Sequence, residues 1–332
     1  MNRNIPERRL KIGIRKQKII NSYISETISI LNQKYSIYEI SFKNISILFK
    51  IFFRRYDFFI DNWSENLLVD KKGKIKLSRI IVYICYKAFL KFISNKVIYI
   101  KHNIYPHSTA DEDITKVRYV IDKLEFLNDL IVTHSDRAPY KKYNFIPHPL
   151  YKFKNKIFEN ELKQKNYFVI FGRILRYKNI DKYIKSCPDN VYIIIAGESN
   201  DQNYLDELKN LSKCKVNISF ITESLSDDEA FKLIKNSKGL IITNENFSSV
   251  VSGTLYFGLS VGTNILSLSN PFIDWFSMKY ELDCIYKYSD LDSLFGESKK
   301  IKNFQSNRTN EVLKKHFSEQ VILEHWMKLI ER

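Results

Sequence analysis

Arg173 and Lys178 stand five residues apart just behind a short apolar run, Phe168-Val-Ile-Phe-Gly172, whose final glycine separates the run from the cations. The pattern predicts a buried strand that enters a tight turn and aims two positive charges at one point. Arg grips phosphate oxygens through a rigid fork of donors and Lys adds a mobile point charge, so a diphosphate is the ligand that best matches the pair. Solvated basic residues behind a strand end would be spelled the same way, because Lys and Arg are mostly exposed in folded proteins. The segments downstream bear on that choice.

Val191-Tyr-Ile-Ile-Ile-Ala196 is a second apolar run, ended by Gly197-Glu198-Ser199, and Gly239-Leu-Ile-Ile-Thr243 is a third, ended by Asn244-Glu245-Asn246. Residues 203–212 read as a helix between them. Ser226, followed by Asp227, Asp228 and Glu229, caps another that runs to Ser237, with carboxylates suited to the positive end of the helix dipole. Buried strands alternating with helices predict a parallel sheet covered on both faces. Ligands of such sheets bind at the carboxyl ends of the strands, where Arg173, Glu198 and Glu245 fall. After the third run, Ser248-Ser249-Val-Val-Ser252-Gly253-Thr254-Leu255 opens a buried helix through Leu259. Small residues there leave backbone N–H groups open to an anion, although Ser252 could equally serve its own helix as an ordinary cap.

Gly172-Arg173 with Lys178, Ile-Ile-Ala-Gly197, and Glu245 followed by Ser252-Gly253-Thr254-Leu255 and Gly258-Leu-Ser-Val-Gly262 together resemble the donor-binding half of GT-B-type glycosyltransferases, of the kind that build bacterial surface polysaccharides. The resemblance implies an α/β fold of two Rossmann-like doubly wound domains facing across a cleft. It also implies that Arg173 and Lys178 hold the donor diphosphate, that Glu245 contacts the sugar or ribose, that Gly172 belongs to the donor site, and that Ser252, Gly253 and Thr254 at the helix start meet phosphate. Retaining relatives carry a second glutamate further along. Eight positions after Glu245 this chain has Gly253, so the resemblance leaves both the donor and the stereochemical course open, and inversion is slightly favoured.

The first half of the chain reads as a second α/β unit. Leu10-Lys-Ile-Gly-Ile14 is a strand leading to a helix near Asn21-Ser22-Tyr23; residues 35–42 and Tyr56-Asp-Phe-Phe-Ile60 are further strands. Ile60 runs into Asp61-Asn62-Trp63, and Val97-Ile-Tyr-Ile100 into His102-Asn103-Ile-Tyr-Pro106-His107. These resemble strand ends of the acceptor half of the same enzymes, where a His-Asn pair with a later Pro-His recurs. Leu130-Ile-Val-Thr133 and the stretch through Pro147-His148-Pro149 fit the last strand and the linker, and residues 317–330 resemble a helix crossing back to the first domain. The expected domains are 1–148 for the acceptor, 149–305 for the donor, and 306–332 for the returning helix.

The elements that must position these groups fit within 332 residues, 44% of them hydrophobic, which suffices for two ordinary cores. Nine glycines and no repeat argue against long linkers, and four cysteines without paired or metal-like spacing point to reduced thiols and no structural zinc. The start lacks a secretory apolar core, and no stretch is long enough for a span. Residues 80–93 are the most apolar helix candidate, interrupted by Lys87 and Lys91 and preceded by Lys71, Lys72, Lys74, Lys76 and Arg79. That layout suits either the surface of an anionic membrane or a core helix behind a solvated loop. The net charge of +16 is compatible with an anionic substrate, a membrane or nucleic acid. No nucleic-acid module is found, and the aromatic residues lie mostly in strand-like runs, so nucleic acid is not expected.

The chemistry expected is hexosyl transfer without a metal or other cofactor, since no Asp-x-Asp or His cluster stands at a strand end. Arg173, Lys178 and the helix start would neutralise the leaving diphosphate. An inverting enzyme also needs a general base; Asp61 and His102 are the candidates, with Asn103 and His107 on the same acceptor side, while in retaining relatives the equivalent histidine contacts the donor sugar. His134 and His148 are expected to be structural. The partners implied are a nucleotide sugar, a saccharide or polyprenyl-linked acceptor and an anionic membrane surface, placing the chain in the cytoplasm at the inner face of the plasma membrane in capsule, O-antigen or exopolysaccharide synthesis. An epimerase-like enzyme of the same architecture and a non-catalytic binding protein are the alternatives.

Overall fold

A computed structural model describes residues 9–16, 21–41, 55–153, 165–243, 250–302, 304 and 307–332. The chain forms two compact units. One reaches to Pro149 and takes back the C-terminal stretch Glu319–Arg332; the other holds Leu150 to Ser318 except for a short stretch before Ser252.

The first unit is built on a parallel sheet of β1 (Lys11–Arg15), β2 (Ser36–Ile40), β3 (Tyr56–Asn62), β4 (Ser94–Ile100), β5 (Leu130–Thr133) and β6 (Asn144–Phe145), in the order β2-β1-β3-β4-β5-β6. Strands β1 and β3 and the second half of β4 are largely buried, as strands covered on both faces are, whereas β2 and β6 at the edges are mostly half-buried. Helix α1 (Ser22–Leu31) follows β1 and starts on Asn21, whose side chain accepts from the Ile24 N–H at 3.3 Å. Helix α2 (Leu77–Ile93) buries Tyr83, Lys87, Leu90 and Ile93 and leaves Leu77, Ile81, Ile84 and Phe92 exposed on another face. Helix α3 (Ile114–Leu124) lies between β4 and β5 in the chain. The sheet changes direction between β1 and β3, the switch point where open α/β sheets bind ligands.

The second unit has a parallel sheet of β7 (Phe168–Phe171), β8 (Ile193–Ala196), β9 (Ile218–Ile221), β10 (Gly239–Ile242), β11 (Ile265–Leu268) and β12 (Ile285–Tyr288) in the order β12-β11-β10-β7-β8-β9. Counted from its own first strand, this is the Rossmann order 3-2-1-4-5-6 with its switch point between β7 and β10. Helices α4 (Ile180–Ser186), α5 (Gln202–Leu211), α6 (Asp227–Lys235), α7 (Gly253–Val261), α8 (Pro271–Tyr280), α9 (Leu291–Ser298) and α10 (Asn307–Phe317) cover it. Ser226 and Glu229 cap α6 reciprocally in a full capping box, and Asn270 caps α8 ahead of Pro271 at its first position.

Helix α11 (Glu319–Ile330) packs on the first unit: Gln33 donates to Glu319 at 2.8 Å and the Tyr35 hydroxyl to Glu331 at 3.2 Å. The helix expected over 317–330 is α11; the expected returning segment 306–332 also holds α10, which belongs to the second unit, so the chain returns only from Glu319. Among the described residues no helix is long and apolar enough to cross a membrane.

Candidate functional site

In the second unit the turn behind β7 needs glycine. Gly172 has φ +102° and Gly197, behind β8, φ +145°, both outside the range that side-chain-bearing residues readily adopt. A Cβ on Gly197 would fall 2.4 Å from the Gly172 carbonyl oxygen, so the two strand ends close against each other. The Gly172 N–H donates to Ala196 at 3.0 Å and the Ile174 N–H to Glu198 at 2.8 Å, which holds the turn.

That turn sends Arg173 into solvent and folds Lys178 back. The Lys178 Nζ lies 3.0 Å from the point a Gly172 Cβ would occupy, and Thr254 Oγ1 lies 3.9 Å from the same point. Three residues that the sequence placed in one ligand site, Gly172, Lys178 and Thr254, are thus brought together. Burial lowers the Lys178 pKa to about 8, and the positive charge of Arg173 pushes it the same way. Two cations held together in a partly dehydrated setting form a site that an anion relieves.

Thr254 belongs to the first turn of α7. Ser252 is its N-cap and accepts from the Leu255 N–H at 3.3 Å, so its hydroxyl serves the helix and leaves the Gly253 and Thr254 N–H groups unclaimed by it. Gly253 is exposed, and a Cβ there would reach only ordinary contact with the Tyr151 hydroxyl at 3.5 Å. Glu245 lies outside the described residues. Arg176, the remaining cation of this turn, is occupied by Glu207 through two bonds of 2.8 Å and by Asp201 at 3.0 Å.

In the first unit the ends of β3 and β4 pair in register, Asp61 with Tyr99 and Asn62 with Ile100. Asp61 is fully buried, ion-paired with the equally buried Lys87 and accepting from the Tyr86 hydroxyl at 2.9 Å. Both carboxylate oxygens are engaged, and the group has no exposed surface from which to take a proton. The expected general base at Asp61 is corrected on that ground: the residue anchors α2 to the sheet. Lys87 also donates to Asn128 at 2.7 Å and lies 4.5 Å from the Tyr99 ring centroid.

His102 is buried, 4% exposed. Its Nε2 is 2.9 Å from Asn62 Oδ1, its ring stacks on Trp63 at 4.4 Å and 17°, and the Tyr23 ring meets it edge-on at 4.8 Å. His134 and His148 surround the same tyrosine. The His134 Nδ1–H donates to the Ile146 carbonyl at 2.8 Å, which leaves Nε2 to accept from the Tyr23 hydroxyl at 3.0 Å. The His148 Nδ1–H donates to the Pro149 carbonyl at 2.7 Å. Burial drives the His102 pKa well below the ordinary imidazole value, with His134 and His148 adding to the effect, and lowers His134 to about 4. All three rings are neutral near pH 7. Among the described residues no group of His, Cys, Asp or Glu is arranged to hold a metal ion.

A base at His102 would have to form an imidazolium, which burial disfavours and which the neighbouring Asn62 amide, unlike a carboxylate, does not stabilise by charge. Asn103 donates to Glu65 at a long 3.5 Å, and Glu65, which also accepts from Tyr99 at 2.8 Å, has its pKa raised to about 7 by burial. His107 lies in an exposed turn. Sequence reasoning missed Tyr23, Lys87 and Glu65 as parts of this end of the sheet. Only the spacing of Lys87 within an apolar helix signalled one of them.

Residues 152–264 match the family model of glycosyl transferases group 1. No curated protein sequence matches the chain. Among solved structures, HepE of Anabaena in complex with UDP and glucose is similar at a TM-score of 0.62 and 12% identity, over 97% of this chain and 99% of that one. AviGT4, a glycosyltransferase involved in avilamycin A biosynthesis, gives 0.61 and 10% over 97% of each. An α,α-trehalose-phosphate synthase (UDP-forming) from Burkholderia xenovorans, in complex with glucose-6-phosphate, gives 0.60 and 8% over 97% of this chain and 100% of that one. The fold is that of the GT-B-type glycosyltransferases, with the group 1 signature lying in the second unit.

Proposed function

We propose that the protein transfers a hexosyl group from a nucleoside-diphosphate sugar to a hydroxyl of a saccharide or polyprenyl-linked saccharide, without a metal ion. The observation that carries this reading is the convergence of Lys178 on Gly172 and Thr254 at the switch point of the second sheet, beside Arg173. As the bond from the sugar's anomeric carbon to the phosphate oxygen breaks, negative charge grows on the diphosphate; Lys178, Arg173 and the α7 start are placed to neutralise it. In the first unit His102 offers a neutral ring nitrogen to a sugar hydroxyl. Because it resists protonation, the departing phosphate oxygen is the base that takes the acceptor proton while the acceptor oxygen bonds to the anomeric carbon. This reading moves the balance from inversion, slightly favoured by the sequence, toward retention.

A membrane-surface acceptor is supported by α2. Leu77, Ile81, Ile84 and Phe92 form an exposed apolar stripe, with Leu77 73% and Phe92 56% exposed. Lys74 and Lys76 of the preceding segment are paired with Glu112 and Asp70, whereas Lys71, Lys72 and Arg79 have no ion pair among the described residues. An apolar stripe beside such cations suits an anionic bilayer and a lipid-linked substrate in surface polysaccharide synthesis, which would hold the chain at the cytoplasmic face.

A thermal-shift screen of uridine, guanosine, adenosine and cytidine diphosphate sugars tests the reading, because a ligand of the native state raises the midpoint. One nucleotide class should stabilise the protein, and Lys178→Met should abolish the shift. Absence of stabilisation by every nucleotide would remove the proposal.

A further inference from the structure

His102 carries one hydrogen bond among the described residues, from Nε2 to Asn62 Oδ1 at 2.9 Å. A neutral imidazole has one N–H and one lone pair, so an amide oxygen opposite Nε2 puts the proton there and leaves Nδ1 as the acceptor atom. We propose that Asn62 is the positioning residue of His102, fixing the Nε2–H tautomer so that Nδ1 receives a sugar hydroxyl; this rests on the role of His102 proposed above.

The rest of the ring's surroundings leave the tautomer as its one remaining freedom. Asn62 is the last residue of β3, buried at 2% exposure and paired in register with Ile100, two residues before His102. Donor and acceptor therefore sit on adjacent strand ends of one sheet, which holds a site more sharply than a loop does. The next residue, Trp63, has φ +54°. That conformation costs about 1–2 kcal/mol for a side-chain-bearing residue and persists where its surroundings over-determine it. Here it lays the indole flat on the imidazole at 4.4 Å, while the Tyr23 ring closes in edge-on at 4.8 Å and is itself tied to His134. An aspartate at position 62 would stabilise the imidazolium and make His102 a base. Asparagine fixes orientation without lending charge, which keeps the ring neutral.

Histidine-selective isotope labelling of the full chain, read by long-range proton–nitrogen correlation near neutral pH, reports the tautomer directly, with His102→Gln identifying the signal. The expected result is Nε2–H in the wild type, a mixture with Nδ1–H in Asn62→Ala, and retained Nε2–H with a raised His102 pKa in Asn62→Asp. Asn62→Ala should also lower kcat for sugar transfer by about a hundredfold, the order that a small misplacement of the bound sugar can cost. Its affinity for UDP, which belongs to the second unit, should be unchanged. Nδ1–H in the wild type would overturn the proposal, as would an unaltered tautomer in Asn62→Ala; should Asn62→Ala not fold, the wild-type and Asn62→Asp spectra still decide. Because the tautomer is read without turnover, failure of sugar transfer would remove the functional reading and leave this assignment standing.

Discussion

Replacing Lys178 by Met should change not only how tightly a nucleoside diphosphate binds but how that binding depends on pH. In the free protein Lys178 has a pKa lowered to about 8 by burial and by Arg173. A bound diphosphate supplies the opposite charge and holds the lysine protonated, so its bound-state pKa lies higher. A group whose pKa rises on binding takes up a proton as pH climbs above the free-state value, and affinity falls there. The free lysine is about nine-tenths protonated at pH 7 and about one-tenth at pH 9, so apparent affinity should drop about tenfold between them, about 1.4 kcal/mol. A terminal phosphate titrates near pH 6 and is already ionised over that range, and arginine does not titrate within it. Isothermal titration with UDP, or the nucleotide picked out by the thermal-shift screen, measures the slope. Lys178→Met should bind at least about tenfold more weakly at pH 7 and show no slope, while Arg173→Ala should weaken binding similarly and keep the slope. A wild-type affinity that is flat over this range, or an equal slope in Lys178→Met, would refute the reasoning.

Lys87→Met should destabilise the protein by about 3–5 kcal/mol in denaturant unfolding, since it strands the Asp61 charge in the core. The double variant with Asp61→Asn should recover much of that loss, and a single variant as stable as wild type would contradict the anchoring role. At the surface, changing Lys71, Lys72 and Arg79 to Gln should weaken binding to anionic vesicles by about 1 kcal/mol per cation, with a steep salt dependence in the wild type. Ile81→Ser with Phe92→Ser should weaken it further; binding indifferent to lipid charge would count against the membrane reading.

How much of this was legible in the sequence depended on distance along the chain. Strands β3, β4, β5, β7 and β10 announce themselves because a doubly covered parallel strand is an unbroken apolar run, and the α6 capping box is spelled within four residues. Strands β11 and β12, Ile265-Leu-Ser-Leu268 and Ile285-Tyr-Lys-Tyr288, have a polar residue inside the run and do not stand out between helices. The turn behind β7 was readable because its glycine, arginine and lysine are near neighbours, whereas the arrival of Thr254 beside Lys178 is set by the order β10-β7. Lys87 looked like an interruption of an apolar helix. Its partner Asp61 lies 26 residues earlier, and only pairing across the fold shows that each explains the other. The same holds for Tyr23 and His134, which are 111 residues apart. His102 was legible as a histidine two residues behind a strand end, but its burial and its amide neighbour are not revealed by spacing.

Release of free nucleoside diphosphate together with a glycosylated product is the measurement closest to the central claim. Purified protein would be incubated with the stabilising nucleotide sugar and a panel of saccharide and lipid-linked acceptors, with products resolved by mass spectrometry. The account predicts acceptor-dependent release matched by acceptor gain of one sugar, persisting in the presence of a metal chelator and lost in Lys178→Met. A nucleotide sugar that is bound but only isomerised, with no nucleoside diphosphate released against any acceptor, would contradict it.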